Sequence, residues 1–227
     1  GQTSLQLAER VGADGQVVGV DISAVMLALA RKRASQAGLS NLEFRNVDAQ
    51  IEPFAGNFDL IFSRFGVMFF ASPEDAFSNM LSALRPGGRL TLLTWQTLAA
   101  NPWMHVPIVA AGKHLPPGGP PPDPTAPGPF AFADPARVKR ILIDAGFEDV
   151  SLEPLDHEIV VGGGRSLDET VDFILQLGPV GAALREADDE LRARVISEVR
   201  SAIKPFHDGS SARMPASTWV VRGRRPV

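Results

Sequence analysis

The stretch Gly1-Gln-Thr-Ser-Leu-Gln-Leu-Ala-Glu-Arg10, followed by the turn Gly12-Ala-Asp-Gly15 and the run Gln16-Val-Val-Gly-Val-Asp21, decides the fold. Leu5, Leu7 and Ala8 sit on a spacing compatible with a helix, and Val17 to Val20 is the short, nearly continuous apolar run of a buried parallel strand. A glycine, then a helix, then an apolar strand ending in an acid about 20 residues on brings a carboxylate within reach of both hydroxyls of a ribose. Asp21 is that acid. The stretch reads as the back half of a nucleotide-binding βαβ unit, and the expectation is that its front half is missing from this chain.

Working outward, the same alternation continues. Ser23 caps a second helix through Met26, Leu27, Leu29 and Ala30, which stops at Gly38, where glycine permits a left-handed conformation. Leu42 to Asn46 and Phe58 to Ser63 read as strands. Ser72-Pro-Glu-Asp75 opens a helix with proline at its first position and acids in its first turn, ending near Arg85. Pro86-Gly-Gly88 then turns into a strand at 89–95. Strands alternating with helices predict a parallel sheet covered on both faces. Ten of the 19 prolines fall between residues 102 and 129, which predicts an extended, partly polyproline segment there. Because it also carries Trp103, Met104, Val106, Ile108, Val109, Leu115 and Phe130, it reads as a covering loop, with an interdomain linker as the alternative. Beyond it come a capped helix from Asp134 to Gly146, one or two strands in 150–161 and a glycine turn at Gly162-Gly-Gly164. Two helices within 166–204, the second opened by the acidic run at Asp188, and a last strand at 215–223 complete the series. That last pair of strands, with helices inserted, would add an antiparallel edge.

A chain of 227 residues with 44% hydrophobic content supports one large core, so we expect a single domain. Its parts would be a cofactor-binding portion at 1–98, a proline-rich lid at 99–130 and a C-terminal portion at 131–227. Net charge is −4, and the basic residues are scattered apart from Arg222, Arg224 and Arg225, which argues against a nucleic-acid partner. The absence of cysteine rules out disulfides and thiolate metal sites and fits a reducing cytoplasm. Leu60 to Ala71, the longest apolar stretch, falls far short of the roughly 20 residues of a membrane helix. His105 and His114 stand nine apart and His157 and His207 are isolated, so no metal site is expected.

Taken together, Gly1-Gln-Thr3, Val18-Val-Gly-Val-Asp-Ile-Ser23, Asn46-Val-Asp-Ala49, Phe58-Asp-Leu-Ile-Phe-Ser-Arg-Phe-Gly66 and Leu84-Arg-Pro-Gly-Gly-Arg-Leu90 resemble the class I S-adenosylmethionine-dependent methyltransferases. Bacterial ubiquinone/menaquinone-type C-methyltransferases are the similar group within that family. The resemblance implies an α/β, Rossmann-like three-layer sandwich. Its mostly parallel seven-stranded sheet would have its first strand absent from this chain, and an antiparallel C-terminal edge. It also implies S-adenosyl-L-methionine as cofactor, S-adenosyl-L-homocysteine as product and a small-molecule methyl acceptor, apolar or aromatic. By the same likeness Asp21 would hold the ribose hydroxyls, and Ile22 and Met26 would flank the adenine. Asp48 would accept from the adenine amino group, Ala49 would offer its backbone amide, and Ser63 and Arg64 would line the pocket near the methionine. Gly1 would be the last glycine of the cofactor loop. The family has a strand and two further glycines ahead of that position, between the strands at 16–20 and 58–63. We therefore expect residues upstream of Gly1, and poor cofactor binding by this chain alone, because a missing central strand orphans two ladders of backbone groups.

Plainer readings stand beside these. Asp21 or Ser23 could simply cap the next helix, Asp48 could form an ordinary turn, Arg64 could pair with a neighbouring acid, and Phe65, Phe69 and Phe70 could be core. If the acceptor is an oxygen or an acidic carbon, a base is needed, and His105 or His114 are the candidates. The alternatives to a methyltransferase are a non-enzymatic cofactor-binding protein and a nicotinamide-dependent oxidoreductase. The latter usually shows a Tyr/Lys pair, and this chain has no tyrosine.

Overall fold

A computed structural model describes residues 1–116 and 123–227. The elements, in order, are α1 (Gln2–Val11), β1 (Val17–Asp21), α2 (Ala24–Gln36), β2 (Leu42–Asn46), β3 (Phe58–Arg64), α3 (Pro73–Ala83), β4 (Leu84–Trp95), α4 (Pro102–Gly112), α5 (Pro135–Asp144), β5 (Glu148–Val161), α6 (Leu167–Ile174), α7 (Gly178–Glu186), α8 (Asp189–Ile203) and β6 (Ala212–Arg224). Single 3-10 turns at Val67–Phe69, Leu98–Ala100 and Lys204–Phe206 connect some of them. Every strand and helix expected between residues 2 and 95 is present, and Gly38 takes the left-handed φ of +67° that ends α2.

β1 and β2 pair in parallel, Val17 opposite Leu42 through to Asp21 opposite Asn46. The other four strands form a sheet in the order β3-β4-β6-β5. Backbone bonds from Gly87 N to Arg225 O and from Gln96 N to Ser217 O run β4 and β6 antiparallel, so the α/β fold carries a mixed sheet with the expected antiparallel C-terminal part. Among the described residues the outer edges of β1 and β3 have no partner strand.

The chain packs as two compact units, the first made of residues 1–92, 136–151 and 221–227, the second of 93–135 and 152–220. In the first, Phe77, Leu84, Leu90, Val138, Ile141 and Leu142 are buried, and Phe77 meets Phe70 edge to face with ring centroids 6.1 Å apart. The guanidinium of Arg225 donates to the carbonyls of Leu81, Ser82 and Leu84, satisfying acceptors that α3 leaves open at its C-terminus. In the second unit, α4, α6, α7 and α8 enclose an apolar core that includes Ala110, Ala111, Val171, Ile174, Leu184, Val195, Val199 and Ile203.

Two expectations in this second unit are corrected. Residues 102–112 are helical, not extended: Pro102 stands at the first helical position, where a missing N–H is harmless, and Pro107 sits inside the helix. Burial of Ala110 and Ala111 offsets the interior proline, an instance of tertiary packing overriding local preference. Pro120-Pro-Pro122 lies outside the described residues. The segment 166–204 holds three helices where two were read, because α7 breaks from α6 at Gly178, whose φ is +57°. Residues 148–161 form one continuous strand. No helix among the described residues is long and apolar enough to cross a membrane.

Candidate functional site

The parallel register of β1 and β2 brings their carboxyl ends level, Asp21 beside Asn46. Open α/β sheets take ligands at this edge of their strands. Asn46 ties the two ends together, its Nδ2 donating to Asp21 O at 2.9 Å. The Asp21 side chain is exposed, and Oδ1 accepts the Ser23 amide at 2.8 Å. The cap of α2 falls to Ser23, whose Oγ accepts the Met26 amide at 3.3 Å. Asp21 is therefore held in a fixed direction by one oxygen while the other stays open to solvent. Just past it, Ile22 is 74% exposed and Met26 54% exposed, two large apolar side chains at the start of α2 that water would not favour.

At the end of β2 the chain turns through Asp48 and Ala49. Asp48 Oδ1 accepts the Gln50 amide at 2.9 Å, and Gln50 Nε2 lies 3.1 Å from each carboxylate oxygen. Gln50 Oε1 in turn accepts the amides of Ala71 at 2.7 Å and Ser72 at 3.3 Å. From α3, Asn79 Nδ2 donates to Ala49 O at 3.0 Å and Glu52 O at 2.8 Å. The Ala49 amide hydrogen-bonds to none of the described residues, so it is available as a donor.

Ser63 and Arg64 close β3 at its carboxyl end. Arg64 is exposed and forms no ion pair among the described residues, which removes the reading of it as a partner of a nearby acid. Phe65, the next residue, has φ +63°, a left-handed conformation that costs a side-chain-bearing residue about 1–2 kcal/mol and concentrates at functional sites. Phe69 is 54% exposed, whereas Phe70 packs on Phe77. Gly1 precedes α1 where a Cβ would come within 2.4 Å of the Ala30 Cβ, so a glycine here lets α1 start against α2.

Gly1, Asp21, Ile22, Met26, Asp48, Ala49, Ser63 and Arg64 all belong to the first unit, and His105 and His114 belong to the second. His105 lies on α4 and lines a cavity of about 230 Å³ with Val106, Val109, Ala110, Lys113 and Ala202. His114 Nε2 is 3.7 Å from Glu198 Oε2, and Lys113 Nζ is 2.5 Å from the other oxygen. Lys113 first, and His114 after it, hold the Glu198 carboxyl below its ordinary range. His114 thus faces Glu198, while His105 faces a concavity. Sequence reasoning missed Asn46, Gln50 and Asn79 as positioning groups. Only the strand register and the approach of α3 give these amides their partners.

The sequence profile described as a methyltransferase domain matches residues 1–115, half of the chain. The chain belongs to the methyltransferase domain family. Over 95 residues this methyltransferase domain is 42% identical to the ubiquinone/menaquinone biosynthesis C-methyltransferase UbiE of Pseudomonas savastanoi pv. phaseolicola, covering 41% of the chain and 37% of that relative. The match thus spans little more than a third of the relative's length. Among solved structures, the YcgJ protein of Bacillus subtilis aligns over 93% of this chain and 83% of its own, with TM-score 0.57 and 14% identity. Phosphoethanolamine N-methyltransferase 2 of Haemonchus contortus, solved with S-adenosylhomocysteine, aligns over 93% of this chain and 44% of its own, with TM-score 0.52 and 19% identity. At these identities the two structures establish likeness of fold alone.

Proposed function

We propose that this methyltransferase domain binds S-adenosyl-L-methionine and transfers its methyl group to a small apolar or aromatic acceptor of the quinone type, releasing S-adenosyl-L-homocysteine. The observation that carries this reading is Asp21: an exposed carboxylate at the carboxyl end of a parallel strand, oriented by the Ser23 amide and flanked by exposed Ile22 and Met26. Asp48 and the free Ala49 amide supply the donor and acceptor pattern of an adenine edge, and Ser63 and Arg64 would border the methionine arm. The acceptor class follows the 42% identical relative, whose name places it in quinone biosynthesis.

When bound, S-adenosyl-L-methionine would supply a methyl group on a sulfonium that the acceptor's electron pair would displace in line, leaving the C–S bonding pair on sulfur as a neutral thioether. Because the leaving group is already activated, alignment is the protein's main contribution, worth up to about 7–11 kcal/mol in favourable cases. Where carbon is methylated, the adduct must lose a proton, and His105, which lines the cavity on α4, is the proposed base. His114 is the weaker candidate, since its ring already faces Glu198.

Isothermal titration of the full-length protein with S-adenosyl-L-homocysteine tests the cofactor assignment. Saturable binding that Asp21→Ala weakens by an order of magnitude supports it; no binding, or unchanged affinity in the variant, removes it. Radiolabelled methyl transfer to a panel of quinols, phenols and amines tests the acceptor class. Transfer confined to amines would overturn it.

A further inference from the structure

We infer that Gln50 is a positioning residue that makes Asp48 selective for the amino group of adenine; this rests on the cofactor reading above. A backbone amide can only donate and a carboxylate can only accept, so the orientation of the Gln50 carboxamide is fixed by its neighbours. Its oxygen receives Ala71 N at 2.7 Å and Ser72 N at 3.3 Å, and its nitrogen reaches both oxygens of Asp48 at 3.1 Å. One side chain therefore bridges the turn after β2 to the entrance of α3.

Three features make the far end of the bridge a firm reference. Ser72 is the residue before Pro73 at the start of α3, and its hydroxyl is turned away to Asp75 Oδ2 at 2.6 Å, leaving Gln50 as the acceptor at that helix entrance. Val67 and Met68, in the 3-10 turn just upstream, are each only 1% exposed. Asn79, one turn and a half into α3, grips the same β2–β3 connection through the carbonyls of Ala49 and Glu52. Ile51 in this connection is 78% exposed, so these polar contacts join the edge contact of Phe54 on Phe58 in anchoring it.

Gln50 thus does two things for Asp48. It removes the carboxylate's rotational freedom, and it occupies the inward-facing lone pairs so that the remaining ones point outward toward the cofactor edge. A carboxylate has about four such acceptor positions, enough for Gln50 and a ligand amine together. The segment carrying Ser63, Arg64 and the strained Phe65 is linked through Ala71 and Ser72 to the same bridge, so the adenine end and the methionine end of the proposed site share one hydrogen-bonded frame.

The test compares S-adenosyl-L-homocysteine with its inosine counterpart, in which a carbonyl oxygen replaces the exocyclic amine, by isothermal titration of the full-length protein and its Gln50→Met variant. The methionine keeps the side chain's length and removes both hydrogen-bonding ends. Affinity for the adenine compound is expected to fall about tenfold, and affinity for the inosine compound by about twofold or less. A purely structural role would lower both alike, and that result, like an unchanged preference for adenine, overturns the proposal. If Gln50→Met fails to fold, Gln50→Glu keeps the acceptor for Ala71 and Ser72 but puts a second carboxylate where the donor to Asp48 was. Reduced preference for adenine at pH 8 is then expected, and full wild-type preference overturns the proposal. Wild-type protein that binds neither compound would instead overturn the cofactor reading, and the Gln50 assignment with it.

Discussion

Replacing Asp21 separates its structural from its ligand-binding role. In the structure the carboxylate makes one local hydrogen bond, to the Ser23 amide at 2.8 Å, and its surroundings are exposed. Losing that bond at a solvated turn should lower stability by about 0.5–1.5 kcal/mol. The contacts proposed for the ribose are two charge-assisted hydrogen bonds to vicinal hydroxyls. In water-exposed surroundings the pair should contribute about 1.5–3 kcal/mol, or roughly 10- to 150-fold in Kd. Asp21→Ala removes everything. Asp21→Asn keeps an oxygen for the Ser23 amide but presents an NH₂ where the second hydroxyl needs an acceptor, so stability should return while affinity stays low. Thermal melts paired with titration of S-adenosyl-L-homocysteine measure the two quantities independently. If Asn restores affinity to within about twofold of wild type, the charge is irrelevant and the ribose argument fails.

Three further outcomes follow from the geometry. Phe77→Ala, at a fully buried position in the first unit, should destabilise by about 3–5 kcal/mol, read as a shift in the urea midpoint; a shift worth less than about 1 kcal/mol would mean that unit repacks freely. His105→Ala should reduce turnover about a hundredfold with cofactor affinity preserved, and retained turnover would exclude His105 as the base. The Asp208 carboxyl is held well below its ordinary range by the Ser210 amide, the Ser210 hydroxyl and the Ser211 amide. Its contribution to stability is therefore fully present above the unfolded value of about 4 and fades as pH falls toward the folded one. Asp208→Asn, which retains an acceptor, should flatten the acid limb of a stability profile between about pH 4 and pH 2. Identical slopes in variant and wild type would refute that.

The first 95 residues were legible because each element there obeys a local rule: Ser23 caps, Gly38 stops, Pro73 starts, and the valines of β1 form an unbroken apolar run. The place of Asp21 at the carboxyl end of β1 was legible for the same reason, as the acid that closes an apolar run. Residues 102–112 were not, since their prolines argue for extension and only the packing of Ala110 and Ala111 makes the helix favourable. Gln50 and Asn79 were invisible for a different reason. An amide in a polar turn and another on a helix look like solvated surface until the fold sets carbonyls, amides and a carboxylate within 3.3 Å of them.

The Arg225 guanidinium that closes the end of α3 is drawn from a segment more than a hundred residues further along the chain. During synthesis, α3 and the turns joined to it are made before Arg225 and lack this clasp until that residue follows. A fusion or frameshift in that late stretch would therefore be felt at the C-terminal end of α3, as a helix whose last turn stays frayed, though no residue of that helix had been altered.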